Sequence, residues 1–227
     1  MKKVILQVLL PVIATPSVIA QKSEKPNIIY ILADDLGYGD VGCYGQKIIE
    51  TPNIDRLASN GMQFMQHYSG STVSSPSRSV LLTGLHTGHT PIRGNSEVQP
   101  EGQKPLPSGT FTLAHMLKEQ GYITGAFGKW GLGFPNSGGD PNAMGFDMFY
   151  GYNCQRLAHK YYPPYLNRNN ERILLPENEN GARKTYAPDL IQKETLKFIS
   201  DNADRPFFVF MAVTLPHAEL ATPDDSI

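Results

Sequence analysis

The sequence predicts an α/β domain in which a mostly parallel sheet is flanked by helices. Short, continuous apolar runs have the pattern of strands that are buried on both faces, and segments with helical spacing lie between them. Strands that alternate with helices in this way are typical of parallel sheets. With 40% hydrophobic and 18% charged residues, the 227-residue chain can form one domain with a sizeable core.

The first predicted strand covers residues 27–32, which we expect to be buried on both faces. A helix follows, with Thr51 as its N-cap, Pro52 at its first position and Gly61 at its end. Apolar residues at helical spacing predict one buried face for this helix: Ile54, Leu57 and Ala58.

The remaining elements alternate in the same way. A helix is predicted at residues 110–120 and a strand at 122–127, followed by a longer helix at 188–201 and a strand at 206–213. Three apolar residues of the 110–120 helix are expected to face inward: Leu113, Met116 and Leu117.

Charged side chains follow three of the predicted strands. Asp34 and Asp35 come after the first strand, Lys129 after the strand at 122–127, and His217 after the last strand. Ligands of open α/β sheets bind at the carboxyl ends of the strands, so we expect these side chains to lie at one rim. For the Asp pair alone, helix capping or plain solvent exposure is the alternative.

The most distinctive segment is S-S-P-S-R at positions 74–78, followed by L-T-G at 82–84. It resembles the signature of the type I sulfatases, in which Cys or Ser precedes x-Pro-x-Arg and L-T-G follows. Further motifs of that family occur in the same order: A-D-D at 33–35, T-P-N-I-D-R-L at 51–57, G-K-W at 128–130 and L-P-H at 215–217. The resemblance implies the alkaline-phosphatase-like fold of sulfatases, with this chain as its N-terminal portion.

The resemblance also implies a chemistry for position 74. Ser74 would be oxidised after synthesis to formylglycine by a separate maturase, as in serine-type bacterial sulfatases. One hydroxyl of the hydrated aldehyde attacks sulfur, and the second, once deprotonated, releases sulfate, which divides one difficult reaction into two easier steps. We expect a helix to begin near Pro76, so that Ser74 lies just before a helix N-terminus, which favours anions.

Other residues receive roles from the same resemblance. Asp34, Asp35 and the modified Ser74 would bind a calcium ion through oxygen ligands. Arg78 would hold the side chain at position 74. Lys129 and His217 would neutralise sulfate and stabilise the departing alkoxide.

The irregular segment 150–181, rich in Tyr, Pro, Asn and Arg, is the expected substrate-binding region. It resembles that of bacterial sulfatases that act on galactose- or N-acetylgalactosamine-type sulfates, and an ordinary exposed loop is the alternative. Its candidate substrate contacts are Gln155, His159, Tyr161 and Arg168. With 20 basic and 21 acidic residues, the chain has no basic surplus that would indicate nucleic acid as a partner.

The sequence departs from the family pattern in two places. Many relatives carry a histidine two residues after the motif lysine, where this chain has Gly131; His86 and His89 are the available substitutes. Relatives also supply further metal ligands later in the chain, whereas this sequence ends at Ile227. We therefore expect residues 21–227 to be the N-terminal part of a longer catalytic domain.

Residues 1–20 combine a basic start, an apolar stretch and small residues before Gln21, which predicts a secretory signal peptide. We expect a periplasmic or secreted protein with no membrane span after cleavage. Export would permit a disulfide between Cys43 and Cys154, although two unpaired, mostly buried thiols are the favoured interpretation.

Two other functions are compatible with these motifs. A phosphate-ester hydrolase of the same fold would use Ser74 directly as its nucleophile. A non-catalytic module that binds sulfated glycans would keep Ser74 unmodified.

Overall fold

A computed structural model describes residues 25–217 and 219–223 of the chain. The predicted signal peptide, residues 1–20, lies outside the described residues. Within the described part, no helix has both the length and the apolar character that a membrane span requires.

The described strands form one six-stranded sheet in the order β1-β6-β2-β3-β4-β5. Their bounds are Ile28–Ala33 (β1), Ile123–Lys129 (β2), Met148–Tyr152 (β3), Tyr165–Arg168 (β4), Glu171–Leu174 (β5) and Phe207–Val213 (β6). β1, β6, β2 and β3 pair in parallel, while β4 and β5 are antiparallel additions at one edge. The predicted mostly parallel α/β sheet is confirmed.

Five α-helices accompany this sheet in the described residues: Pro52–Ser59 (α1), Ser74–Thr83 (α2), Leu113–Glu119 (α3), Gln155–Ala158 (α4) and Ala187–Asp201 (α5). Short 3-10 turns occur at Tyr38–Asp40, Gly42–Tyr44 and Pro176–Gly181. The helices predicted after Thr51, at 110–120 and at 188–201 are present, with ends that differ by up to three residues.

The start of α2 differs from the prediction. The helix begins at Ser74, with Val73 as its N-cap, and not near Pro76. Proline is tolerated at the third helical position because the amide groups of the first turn have no intrahelical acceptor. The first intrahelical bond runs from the Ser77 N–H to the Val73 carbonyl, 3.1 Å apart. Ser74 is therefore part of the first turn itself.

Two apolar layers cover the sheet. One face packs against α2 and α3 through a cluster that includes Trp130, Phe146, Phe208 and Phe210. The other face packs under α5, whose Ile191 contributes to the second cluster. The central strands β2 and β6 are buried on both faces, which fixes their carboxyl ends relative to each other.

Several predicted buried faces are exposed in the structure. Ile29 and Ile31 of β1 are 49% and 61% exposed, because β1 is an edge strand and α5 lies over β2, β3 and β6. Ile54 and Leu57 of α1 are exposed too. That helix is held instead by the carboxylate of Asp55, which accepts the Cys43 N–H at 2.7 Å. In α3, Ala114 and Leu117 face the core, while Met116 is exposed.

The segment 150–181 is more regular than predicted. It contains the end of β3, helix α4, the β4–β5 hairpin and a 3-10 turn. The strands of the hairpin are only four residues long and are joined at Asn169, whose φ of 51° suits a tight turn.

Both cysteines are free thiols, as the favoured interpretation had it, although only Cys154 is fully buried. Its sulfur accepts the Leu157 N–H at 3.3 Å and so caps α4. Burial raises the pKa of this thiol.

Candidate active site

The candidate site is built around the buried carboxylate of Asp34, directly after β1. Its Oδ2 accepts a hydrogen bond from Lys129 Nζ at 2.6 Å, and its Oδ1 accepts one from Arg78 Nη2 at 3.3 Å. The Asp34 N–H donates to the Leu215 carbonyl at 3.1 Å, which ties the end of β1 to the loop after β6. One carboxylate therefore links two strand ends and helix α2.

Arg78 connects this carboxylate to Ser74. Its Nε donates to Ser74 Oγ at 2.9 Å, and its Nη1 donates to the Lys129 carbonyl at 2.6 Å. The two residues are four positions apart on α2, so their side chains lie on the same face of the helix. A guanidinium with three fixed partners holds the Ser74 hydroxyl in one place.

The buried charges of this cluster do not cancel. If all three groups are ionised, Arg78 and Lys129 carry two positive charges and Asp34 one negative charge. Burial lowers the pKa of Lys129, the neighbouring Arg78 lowers it further, and Asp34 opposes both effects. Burial also lowers the pKa of Arg78, against the opposing influence of Asp34. The trio alone therefore has one surplus positive charge next to Ser74, while Asp35 and Glu97 add negative charge to the cavity wall.

A cavity of about 360 Å³ opens above this cluster. Its walls combine acidic, amide, hydroxyl and imidazole groups with one valine, and the lining residues are Asp34, Asp35, Thr72, Val73, Ser74, Asn95, Glu97, Gln103, Gln155, His159 and His217. Lys129 and Arg78 lie beneath it and act on its contents through Asp34, Ser74 and their own charge.

His217 follows β6 and lies beside both Asp35 and His159. Its Nε2 is 3.5 Å from Asp35 Oδ2, and its ring stacks on that of His159 with centroids 4.3 Å apart and an interplanar angle of 16°. The Asp35 side chain is 72% exposed, and its backbone has a positive φ of 63°. Burial lowers the pKa of His159, and His217 and Lys129 lower it further.

The strand-end residues assemble as predicted. β1, β6 and β2 are neighbours in the sheet, so Asp34, His217 and Lys129 emerge side by side from parallel strands. Gln155 and His159 also line the cavity.

Two candidate substrate residues lie elsewhere. Arg168 is not among the residues that line the cavity; it pairs with Glu194 of α5 at 2.7 Å and lies over the Tyr150 ring. Tyr161 is buried, and its hydroxyl donates to the His217 carbonyl at 2.8 Å. It therefore holds the loop that carries His217, and this placement gives no support to a substrate contact by either residue.

The space beside Gly131 is filled by Gln155. Gly131 has a φ of +75°, and a Cβ added there would lie 3.2 Å from Gln155 Nε2. The same amide nitrogen donates to Ser75 Oγ at 2.5 Å and to Asn95 Oδ1 at 3.3 Å. Helix α4 thus braces the first turn of α2 where the family pattern has a histidine.

The suggestion that His86 or His89 replaces that histidine is wrong. Both side chains are exposed, pack edge-to-face on each other at 4.7 Å, and do not line the cavity that contains Ser74. They follow the end of α2, whereas the cavity lies at its start.

Three lining residues had no detectable signal in the sequence: Asn95, Glu97 and Gln103. They lie on connecting segments without hydrophobic periodicity. A β-bridge joins Glu97 to Gln103, and Asn95 Oδ1 accepts the Ser75 N–H at 3.0 Å. The fold, rather than any local pattern, brings them to the cavity.

The fit of the implied calcium ion can be judged from the donors present. Asp34, Asp35 and Ser74 line one cavity and offer oxygen atoms, which are the ligands that calcium prefers. In the described part of the chain, no group of three or more His, Cys, Asp or Glu side chains is arranged to hold a metal. Calcium takes about six to eight oxygen ligands. These residues offer ligand atoms of the right type but too few of them, so they form one side of such a site.

The chain is similar in sequence to known proteins of one family. A family model described as Sulfatase matches residues 26–226. An N-acetylgalactosamine-6-O-sulfatase from Bacteroides thetaiotaomicron is 49% identical over 142 residues, which cover 56% of this chain and 26% of that protein. An arylsulfatase from Hemicentrotus pulcherrimus is 35% identical over 220 residues, or 88% of this chain and 39% of the relative.

A solved structure is similar as well. The crystal structure of Ps i-CgsB in complex with k-i-k-neocarrahexaose matches with a TM-score of 0.73 and 32% identity, over 89% of this chain and 48% of that one. The chain therefore spans between about a quarter and a half of the length of these relatives.

The shared carboxylate predicts a large difference between two neighbouring aspartates. Asp34→Asn should lower the free energy of unfolding by about 3–5 kcal/mol, because it leaves two buried cations without their anion. Asp35→Asn is the matched control and should change the free energy of unfolding by less than about 0.5 kcal/mol. The Asp35 side chain is exposed, and asparagine tolerates a positive φ. Urea denaturation measures the unfolding free energy of both variants. Equal losses would contradict the assignment of Asp34 as the shared anion of Arg78 and Lys129.

The contact between Gly131 and Gln155 predicts a second difference. Gly131→Ala should cost more than the roughly 1–2 kcal/mol expected from its positive φ alone, because the new methyl group crowds the Gln155 amide. Gly84→Ala is the control, since Gly84 has a φ of +70° with no atom within 4 Å of the added Cβ. In a Gln155→Ala background the extra cost should fall. Equal unfolding free energies for the two alanine variants would show that no crowding exists.

Proposed function

Because this chain belongs to the sulfatase family, we propose that it is the N-terminal catalytic part of an enzyme that hydrolyses sulfate esters of carbohydrates. The observation that carries the proposal is the Ser74 hydroxyl, held by Arg78 in a cavity above a buried cluster with surplus positive charge. That arrangement suits a nucleophile that must attack a monoanionic sulfate ester. In this proposal, residues 21–227 form that part.

Maturation of Ser74 to formylglycine by a separate enzyme is part of the proposal. The hydrated aldehyde supplies a nucleophilic hydroxyl and a second hydroxyl that allows sulfate to leave. The chain's own contribution is position: Arg78 fixes the oxygen at residue 74, and the α2 N-terminus favours the anionic sulfate beside it. The Gln155–Ser75 hydrogen bond keeps the first turn of α2 from shifting.

The surrounding charges stabilise the reacting group. Lys129 and Arg78 are fixed before substrate arrives, so they cost no reorganisation when negative charge moves onto the sulfate oxygens. His217 lines the cavity, and its proposed role is to donate a proton to the departing sugar oxygen. Asp35 Oδ2 lies 3.5 Å from His217 Nε2, so the two side chains share one part of the cavity wall.

Calcium is proposed as a cofactor, held by Asp34, Asp35 and residue 74 together with ligands from outside the described residues. It would supply a positive charge that polarises the sulfate oxygens. Asp34 and Asp35 meet at the cavity from one strand end, which brings two hard oxygen donors within reach of residue 74.

A sulfated carbohydrate is the proposed substrate class. The printed names of two relatives point to sugars, one as an N-acetylgalactosamine-6-O-sulfatase and one as a complex with k-i-k-neocarrahexaose. The cavity wall also includes Asn95, Glu97 and Gln103, whose polar groups suit the hydroxyls of a sugar ring. We also propose that residues 1–20 direct export, to the periplasm or outside the cell.

The proposal predicts activity that depends on maturation of one serine. The full-length protein made with a formylglycine-generating maturase should lose two hydrogens in intact mass and should cleave both an aryl sulfate and a sugar sulfate. Ser74→Ala should lose this activity by at least about 10³-fold and still fold, because Arg78 keeps its bonds to Asp34 and to the Lys129 carbonyl.

Ser77→Ala, in the same helix, is the control and should retain activity within a few-fold. Turnover of an aryl phosphate by protein with unmodified Ser74 would favour the phosphate-ester alternative. Binding of sulfated sugar without cleavage, by protein shown to be matured, would favour the non-catalytic alternative.

A further inference from the structure

Helix α4 brings a second imidazole into the candidate site. His159 is the C-cap of this helix, and its N–H donates to the Gln155 carbonyl at 3.2 Å. It is therefore one helical turn after Gln155, and both side chains line the cavity that contains Ser74. Cys154 caps the start of the same helix through its sulfur, so α4 is anchored at both ends of its short length.

The His159 ring is placed by stacking rather than by hydrogen bonds. It lies nearly parallel to the His217 ring with centroids 4.3 Å apart, and both residues line the cavity. Among the described residues, neither ring nitrogen of His159 has a hydrogen-bond partner within the protein. A half-buried imidazole with free nitrogens in a polar cavity is suited to contact a ligand.

The geometry at Gly131 explains why this imidazole comes from α4. The space beside Gly131 is occupied by the Gln155 amide, and the positive φ of Gly131 disfavours any side chain there. An imidazole can reach this cavity from the next turn of α4, where His159 lies. Helix α4 thus contributes two side chains here. Gln155 fills the space beside Gly131, and His159 brings an imidazole ring to the cavity.

We propose that His159 is a catalytic residue that donates a ring N–H hydrogen bond to an oxygen of the sulfate group, beside His217. The proposal rests on the proposed function and adds to it a residue that replaces the side chain absent at Gly131. No bond to His159 forms or breaks in this role. The residue acts by stabilising charge on the sulfate oxygens.

Three variants of the matured full-length protein separate hydrogen bonding from packing. His159→Phe keeps a flat ring against His217 but removes both nitrogens, whereas His159→Ala removes ring and nitrogens together. Loss of one hydrogen bond to a charged group predicts that His159→Phe lowers kcat/KM for a sugar sulfate by about tenfold or more. His67→Phe, at an exposed histidine outside the cavity, should match the wild type.

A wild-type rate for His159→Phe combined with a loss for His159→Ala would overturn the proposal and leave His159 as a packing residue. Nuclear magnetic resonance of the imidazole groups gives a readout that does not need turnover. Titration with inorganic sulfate should shift the ring signals of His159 in the wild type and leave those of His67 unchanged. Unshifted His159 signals at saturating sulfate would also overturn the proposal.

Failure of the proposed function is a different result. If the matured wild type cleaves neither an aryl sulfate nor a sugar sulfate, the hydrolase assignment fails. The sulfate titration still decides whether His159 contacts the anion.

Discussion

The site depends on one buried carboxylate that serves two cations. Asp34 meets Lys129 at 2.6 Å and Arg78 at 3.3 Å, and all three side chains are buried. Removing such charges from water costs several kcal/mol per ion, so an apolar cluster of the same volume could be as stable or more so. What the ionic cluster provides is position: the end of β1, the end of β2 and the first turn of α2 are held together by directional contacts.

The order of the strands makes this cluster possible. β6 lies between β1 and β2, and its carboxyl end leads to His217 on the same rim. The Tyr161 hydroxyl holds the His217 carbonyl, and Arg78 holds the Ser74 hydroxyl, so each group with a proposed chemical role has a second residue that fixes it. Asp35 differs, because its carboxylate is largely exposed and remains available to a ligand.

Much of this arrangement follows from the sequence because it depends on regular rules. Apolar runs gave the central strands, and the rule that parallel strands share their carboxyl ends predicted that Asp34, Lys129 and His217 would meet. Burial was less predictable: Ile54 and Leu57 have helical spacing, yet no described element covers them. Periodicity shows which residues share a face, whereas exposure depends on what packs against that face.

The second part of the site was predictable only as a region. Helix α4 and strands β4 and β5 are each four residues long, which is too short to show periodicity, and tertiary contacts stabilise them. Gln155 and His159 were expected to contact substrate, but the sequence could not show that Gln155 braces α2 or that His159 stacks on His217. Gly131 and Gln155 are 24 positions apart with strand β3 between them, so their contact leaves no local pattern in the sequence.

The most direct test of the central claim is the coupling energy between Asp34 and Lys129 in a double-mutant cycle. Unfolding free energies would be measured for Asp34→Asn, Lys129→Met and the double variant. If one buried carboxylate organises the site, the double variant should lose less unfolding free energy than the two single variants lose in sum. The difference should be at least about 2 kcal/mol, because the double variant removes two opposite charges together. Additive losses, within about 0.5 kcal/mol, would show that the two groups are energetically independent and would contradict the account.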